Sequence, residues 1–263
     1  MLSLTSYPAR FGTLAHTLQA LLRQTVQPDA VILWLDPGDE DLLPTGVTDL
    51  KRDGLEIRTC PPWRAYKKSI PTLLAHPDAF VATADDDVYY PADWLEHLVA
   101  AAATGAAVAC HRAHRIRLAP DGLPRPYADW EHNIAAPGTS PRLFLTGVMG
   151  ALYAPGALHP DATRAEIFTA LSPANDDIWM HWMHRLAGIA ATKIGGRARI
   201  LEWEGSQDRS LRSVNLTGGG NDPAIRAMIA RYGIPWPDPH RGQDATAGPH
   251  PTPPDAVLFP GQD

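Results

Sequence analysis

Three carboxylates stand in a row at Asp85, Asp86 and Asp87, between the apolar stretch Ala79–Ala84 and Pro91. Side by side they repel one another, and a bare cluster would partly protonate. A divalent cation removes that penalty. Carboxylate oxygens suit hard ions such as Mg²⁺ or Mn²⁺, which also bridge substrate phosphates. Asp85 and Asp87 are two positions apart, so they share one side of an extended stretch. A second acidic pair, Asp176-Asp177, follows Asn175 at the start of an amphipathic segment. A carboxylate there can serve as a general base that takes a proton from a hydroxyl as it attacks. Each cluster has a plainer reading: a solvated acidic turn leading into the helix at Pro91, and a helix cap that needs only one of its polar residues. Both clusters in one chain favour the chemical reading.

Such groups need elements to hold them. Met1–Tyr7 suits a short strand stopped by Pro8, and Gly12–Thr25 carries Leu14, Leu18, Leu21 and Leu22 on one helical face. Ala30–Leu35 is a continuous apolar run closed by Asp36-Pro37-Gly38, as expected of a strand buried on both faces. Leu55–Thr59 and Ala79–Ala84 are the next strands, with a helix over Ser69–Ala75 between them. Pro91 opens a helix with Trp94, Leu95, Leu98 and Val99, and Ala106–Cys110 follows as a fifth strand. The alternation predicts an α/β fold with a mostly parallel sheet. The acidic trio then falls at the carboxyl end of a strand, where such sheets bind ligands.

After residue 110 the rhythm breaks. The Arg-, His- and Pro-rich stretch 111–145 has room for a short antiparallel strand near His114–Leu118. Asp176–Leu186 reads as a helix ended by Gly188, and Ile189–Ile194 as a return to the sheet. A last helix begins at Asp222, as its cap, and Pro223, and ends at Gly233. From Trp236 onward seven of the last 28 residues are Pro and apolar periodicity stops, which predicts a loosely ordered tail.

SLTSYPARF, ILWLD, DDDVYYP, FLTGVMGALYAP and NDDIW occur in the order found in family-2-like glycosyltransferases of the GT-A fold. The chain resembles that family over roughly residues 1–215 and looks most like bacterial enzymes that build surface polysaccharides. The resemblance implies a Rossmann-like, mostly parallel sheet flanked by helices, with a small antiparallel extension. Residues 1–110 would form the nucleotide-sugar-binding half, 111–235 the acceptor and catalytic-base half of the same domain, and 236–263 the Pro-rich tail. The family's Asp-x-Asp metal motif matches Asp85 and Asp87 by spacing. Measured back from Pro91 the match is Asp86-Asp87, so all three belong to the expected site and Asp87 is the expected direct ligand. Mn²⁺ or Mg²⁺ would hold the diphosphate of a nucleoside-diphosphate sugar, a uridine diphosphate sugar by family habit. The family's Glu-Asp pair corresponds to Asp176-Asp177, which makes Asp177 the expected base.

Thr5, Ser6, Tyr7 and Arg10 lie where such enzymes cradle the nucleotide; a simple strand-to-helix turn explains the same residues. Asp36 matches an acidic contact to base or ribose, or merely an Asp-Pro-Gly turn. Lys67 and Lys68 match positions that reach the nucleotide or its phosphates, or are solvated. Gly147–Gly150 falls beneath the donor sugar in related enzymes. Ser206-Gln207-Asp208 and Gly218–Gly220 would form a flap. Trp179 and Trp182 are sugar-stacking faces or core. His181 and His184 share a helix face, without a third residue spaced to complete a zinc site. The acceptor is expected to be a hydroxyl of a carbohydrate or lipid-linked glycan. The rivals are a sugar nucleotidyltransferase and a catalytically silent carbohydrate-binding module. A nucleotidyltransferase usually has a Gly-rich basic loop after its first strand, whereas SYPARFGTL holds one Arg and one Gly.

The net charge of −6 argues against a nucleic-acid binder that works by broad charge attraction. Two cysteines, Cys60 and Cys110, exclude a disulfide scaffold and a four-Cys zinc site. No apolar run reaches the roughly 18 residues that span a bilayer, and the N-terminal stretch lacks the pattern of a signal peptide. The expectation is a soluble cytoplasmic protein, with peripheral contact at the inner face of the plasma membrane left open.

Overall fold

Val31–Leu35 (β2) is buried at every residue, as an inner strand covered on both faces must be. The computed structural model describes residues 1–204 and 221–236. In it β2 pairs in parallel with Leu2–Thr5 (β1) on one side and Leu55–Thr59 (β3) on the other. Between them, Phe11–Leu22 forms α1 and Thr45–Thr48 a single turn, α2. Arg64–Lys68 is a 3-10 turn that runs into Ile70–Ala75 (α3), with Pro71 in its first turn. Val81–Ala84 (β4) then pairs in parallel with β1, Leu4 opposite Ala84, so the chain leaves Thr5 and Ala84 at neighbouring carboxyl ends.

Trp94–Ala103 (α4) leads to Val108–Cys110 (β5). Pro91 does not open α4 as the sequence pattern predicts. It lies in the preceding turn, where its carbonyl accepts from Trp94 N–H at 3.1 Å and from Gln24 Nε2 at 2.9 Å. Ala113–Arg115 (β6) falls within the stretch expected to turn antiparallel, and pairs with Leu143–Leu145 (β8) in a separate two-stranded sheet. Gly138–Ser140 (β7), Ala151–Tyr153 (β9) and Ala191–Lys193 (β10) complete the main sheet, whose order is β3-β2-β1-β4-β9-β5-β10-β7. Only β9 and β7 run against the others. Ala165–Leu171 (α5), Asp176–Leu186 (α6) and Asn221–Tyr232 (α7) pack below. Asp222 is not a cap but lies inside α7, and its Oδ1 accepts from Tyr127 N–H at 2.8 Å, tying α7 to the 111–145 segment.

Two apolar layers cover the sheet. Leu14, Leu18 and Leu21 of α1 and Trp94 and Leu98 of α4 fill one. Phe144, Phe168, Trp179, Trp182, Met183 and Met228 fill the other, between the small sheet, α6 and α7. Trp179 and Trp182 are fully buried, so they are core and not sugar platforms. His181 and His184 are buried beside them, and among the described residues no three His, Cys, Asp or Glu side chains form a metal cage. No helix of the described residues is long and apolar enough to cross a membrane. The expected flap at Ser206–Asp208 and Gly218–Gly220, and residues 237–263 of the expected tail, lie outside the described residues.

Candidate functional site

A cavity of about 980 Å³ opens at the carboxyl ends of β1 and β4. Thr5, Ser6, Tyr7, Arg10, Lys67, Lys68, Asp85, Asp86, Asp87, Asp176 and Asp177 all line it. Residues up to 172 positions apart in the chain thus meet in one place. Asp36 is not among the lining residues. It sits behind them, and its Oδ1 receives Lys67 Nζ at 2.7 Å. Both lysines are buried, at 3% and 8% exposure, and not solvated.

The acidic trio is held by two cations of the chain itself. The 3-10 turn Pro8–Arg10 carries Arg10 back over the strand end. Its Nη1 lies 2.7 Å from Asp86 Oδ1 and 3.0 Å from Asp87 Oδ2. Ser6 Oγ donates to the other oxygen of Asp86 at 2.5 Å. Burial raises the Asp86 carboxyl, while Arg10 and Ser6 pull it back. Burial opposes the charge of Arg10 too, but Asp86 and Asp87 outweigh it and hold the guanidinium protonated. On the other flank, Lys68 Nζ stands 3.0 Å from Asp85 Oδ1 and 3.0 Å from Asp176 Oδ2. Burial disfavours its charge, yet Asp176, Asp85 and Asp177 together raise its pKa well above normal. Mutual repulsion in the trio is therefore already countered without a metal, which corrects the premise that a divalent ion alone makes it tolerable.

The donor set still suits a hard cation that arrives with substrate. Both Asp86 oxygens are committed to Ser6 and Arg10. Asp85 and Asp87 offer carboxylate oxygens at the cavity wall, and two carboxylates plus a diphosphate is a common way of holding Mg²⁺.

Asp177 opens α6 together with Asp176, and its Oδ1 accepts from Gly147 N–H at 2.8 Å. Burial, then the neighbouring charge of Asp176, push its carboxyl up to about 7, with Lys68 acting against them. A carboxylate of that strength is matched to taking a proton near neutral pH. Gly147 is needed for space: a Cβ there would stand 2.4 Å from Lys68 Nζ and 3.0 Å from Asp177 Oδ1. Gly150 (φ 79°) is tighter still, because its Cβ would fall 2.3 Å from the Trp94 ring and 2.7 Å from the Thr83 carbonyl.

Sequence reading did not single out the far wall of the cavity. Arg112, His114, Tyr127, His132, Phe144 and Thr146 line it. The one available signal was the density of Arg and His in 111–132, which has no periodicity to say where its side chains point. Among the nucleotide-cradle candidates, Thr5 Oγ1 donates to the Trp34 carbonyl at 2.8 Å, and Tyr7 has the Arg10 guanidinium 5.4 Å from its ring centre.

No protein-family model matches the chain, and no curated protein sequence matches it. Solved structures do. S. aureus TarS (residues 1–349) in complex with UDP-GlcNAc superposes with a TM-score of 0.52 at 14% identity, over 87% of this chain and 66% of that one. The same protein in complex with UDP gives 0.50 at 15% identity, over 76% of this chain and 58% of that one. The fold is of the GT-A type. The chain spans about three fifths of the length of those TarS structures, and at this identity the likeness is one of fold. The 4-diphosphocytidyl-2C-methyl-D-erythritol synthase of Anaerococcus prevotii has a TM-score of 0.49 at 15% identity, over 78% of this chain and 94% of that one.

Proposed function

We propose that this GT-A-type chain is an inverting glycosyltransferase that moves a sugar from a nucleoside-diphosphate sugar to an acceptor hydroxyl. The observation that carries the reading is one cavity holding Asp85–Asp87 on one flank and Asp177 on the other, with Lys68 bridging Asp85 and Asp176. Asp177 takes the proton of the acceptor hydroxyl. The acceptor oxygen bonds to the anomeric carbon on the face opposite the nucleotide. The bond from that carbon to the diphosphate breaks, and its electron pair leaves with the nucleoside diphosphate. Asp85 and Asp87 would hold a Mg²⁺ or Mn²⁺ ion that neutralises the departing diphosphate. Thr5, Ser6, Tyr7, Arg10 and Lys67 surround the nucleotide end, with Asp36 orienting Lys67. Lys68 keeps Asp85 and Asp176 together and shields both from the charge of Asp177.

TarS is solved with UDP and with UDP-GlcNAc, which makes uridine diphosphate sugars the first donors to try. A glycan or lipid-linked acceptor in bacterial surface polysaccharide synthesis, at the cytoplasmic side of the membrane, completes the proposal. The test is a panel of nucleotide-sugars with Mn²⁺, followed by release of nucleoside diphosphate. Asp177→Ala and Asp87→Ala should each remove most turnover from a folded protein. Full turnover in Asp177→Ala overturns the base assignment, and undiminished turnover in excess chelator overturns the metal assignment. Release of pyrophosphate from a nucleoside triphosphate and a sugar phosphate, with no nucleoside diphosphate formed from the nucleotide-sugars, identifies a nucleotidyltransferase.

A further inference from the structure

Arg10 holds the acidic trio with only part of its guanidinium. An arginine usually grips a carboxylate with two nitrogens in parallel. Here Nη1 alone serves both Asp86 Oδ1, at 2.7 Å, and Asp87 Oδ2, at 3.0 Å. Nε is sealed from solvent without a hydrogen-bond partner, a costly state for a donor on a charged group. Nη2 has no hydrogen-bond partner among the described residues and is not one of the sealed atoms. The side chain lines the cavity over the ring of Tyr7, so Nη2 is open to a ligand there.

The strand end does not depend on this contact for its shape. Thr17 Oγ1 donates to the Asp86 carbonyl at 2.9 Å, and Trp203 N–H to the Asp87 carbonyl at 3.3 Å. Ser6 Oγ donates to Asp86 Oδ2 at 2.5 Å. What Arg10 adds is charge, placed on Asp87, the residue expected to bind a cation directly.

Arg10 would face a divalent ion on Asp87 across a single carboxylate, in a partly buried site where like charges repel strongly. It therefore competes with the ion for Asp87. A nucleoside diphosphate changes the balance. Its phosphate oxygens accept the paired hydrogen bonds that Arg10 does not make with the trio. The geometry points to Arg10 as a stand-in cation: it holds Asp87 and suppresses ion binding until a nucleoside diphosphate arrives, then turns to the phosphates and yields Asp87 to the ion. Ion and nucleotide are then taken up together. This rests on the reading of Asp85 and Asp87 as ion ligands beside a nucleotide site.

Two binding measurements test it, neither of them turnover. Mn²⁺ affinity is read without nucleotide from the electron paramagnetic resonance signal of the free ion. UDP affinity is read by calorimetry in excess chelator. Arg10→Gln should bind Mn²⁺ about tenfold or more tightly than wild type and UDP about tenfold or more weakly, each the scale of one hydrogen bond to a charged group. A merely structural role would weaken both together. Arg23→Gln, at an exposed residue just after α1 and outside the cavity, removes the same charge and should move neither affinity. Mn²⁺ binding that is unchanged or weaker in Arg10→Gln, or tightened equally in Arg23→Gln, overturns the stand-in. UDP binding unchanged in Arg10→Gln overturns the passage to the phosphates. Thermal melts serve for a weakened variant: excess Mn²⁺ should raise the Tm of Arg10→Gln more than that of wild type, and an equal rise overturns the proposal. If UDP binds no variant, with or without Mn²⁺, the nucleotide-sugar reading falls, and the nucleotide-free comparison still decides whether Arg10 holds off the ion.

Discussion

At Asp177 the same burial that strengthens a base weakens the fold. Its carboxyl sits at about 7 against an ordinary 3.8, with burial the largest cause. The active form is the anion, so kcat/KM should rise about tenfold per pH unit below neutrality and level off above about 7. A limb at about 4 would exclude Asp177 as the base. The stability sign is opposite. The folded state binds this proton more tightly than the unfolded state, so the contribution is full below about 4 and is lost as pH rises through 7. Asp177→Asn should thus be inactive and yet more stable than wild type at pH 8 by about 2 kcal/mol, with the gain absent at pH 4. Urea denaturation at both values checks it. The carboxylates were legible from residue type and spacing. That Asp86 spends both oxygens on Ser6 and Arg10 was not, because those contacts span 76 to 80 residues.

The turn between β8 and β9 carries the hydrogen bond to Asp177, and its glycines set its tolerance. Gly150→Ala places a Cβ against the Trp94 ring and a backbone carbonyl at positive φ. The carbonyl cannot rotate away, so about 3 kcal/mol of stability should be lost, measured by urea denaturation. A loss under about 1 kcal/mol would show that the turn is slack. Gly147→Ala meets the flexible end of a side chain, Lys68 Nζ, and the Asp177 carboxylate. It should fold, but displace the ammonium from Asp85 and Asp176, so kcat should fall more than tenfold with a much smaller change in Tm. Both glycines lay inside a motif visible in the sequence, whereas the reason for each is a neighbour from another element. Legibility of the elements followed context more than length, since β5 and β10 are also three residues long and each lies in an apolar run that the sequence marks. β2 and β3, five residues each, announce themselves by apolar run or by flanking breakers. β7, β8 and β9, three residues each, are too short to show alternation and went unread.

Across the whole molecule the acidic trio follows β4 of the main sheet, whereas His114 and Phe144 of the far wall belong to the separate β6–β8 pair, and the cavity is lined from both. Lys68 before α3, Asp85 after β4 and Asp176 at the start of α6 close this span with a single buried ammonium. A ligand that fills the cavity should therefore stabilise the protein as a unit and not one half of it. At a UDP concentration about 100 times Kd, the gain is about 2.7 kcal/mol. For a chain of this size that raises Tm by about 5–10 °C in a single transition. Mn²⁺ should enlarge the shift if Asp85 and Asp87 share the ion with the diphosphate, and excess chelator should return it to the value for UDP alone. Lys68→Met removes the bridge and leaves buried carboxylates facing one another, at about 3 kcal/mol. In that variant the UDP shift should shrink along with the baseline Tm. A full-sized shift would mean that nucleotide binding draws on the β1 and β4 ends alone, and that Lys68 serves only the base. A protein that warms with UDP but releases none from any nucleotide-sugar would be the silent binding module, with this same fold and this same cavity put to recognition alone.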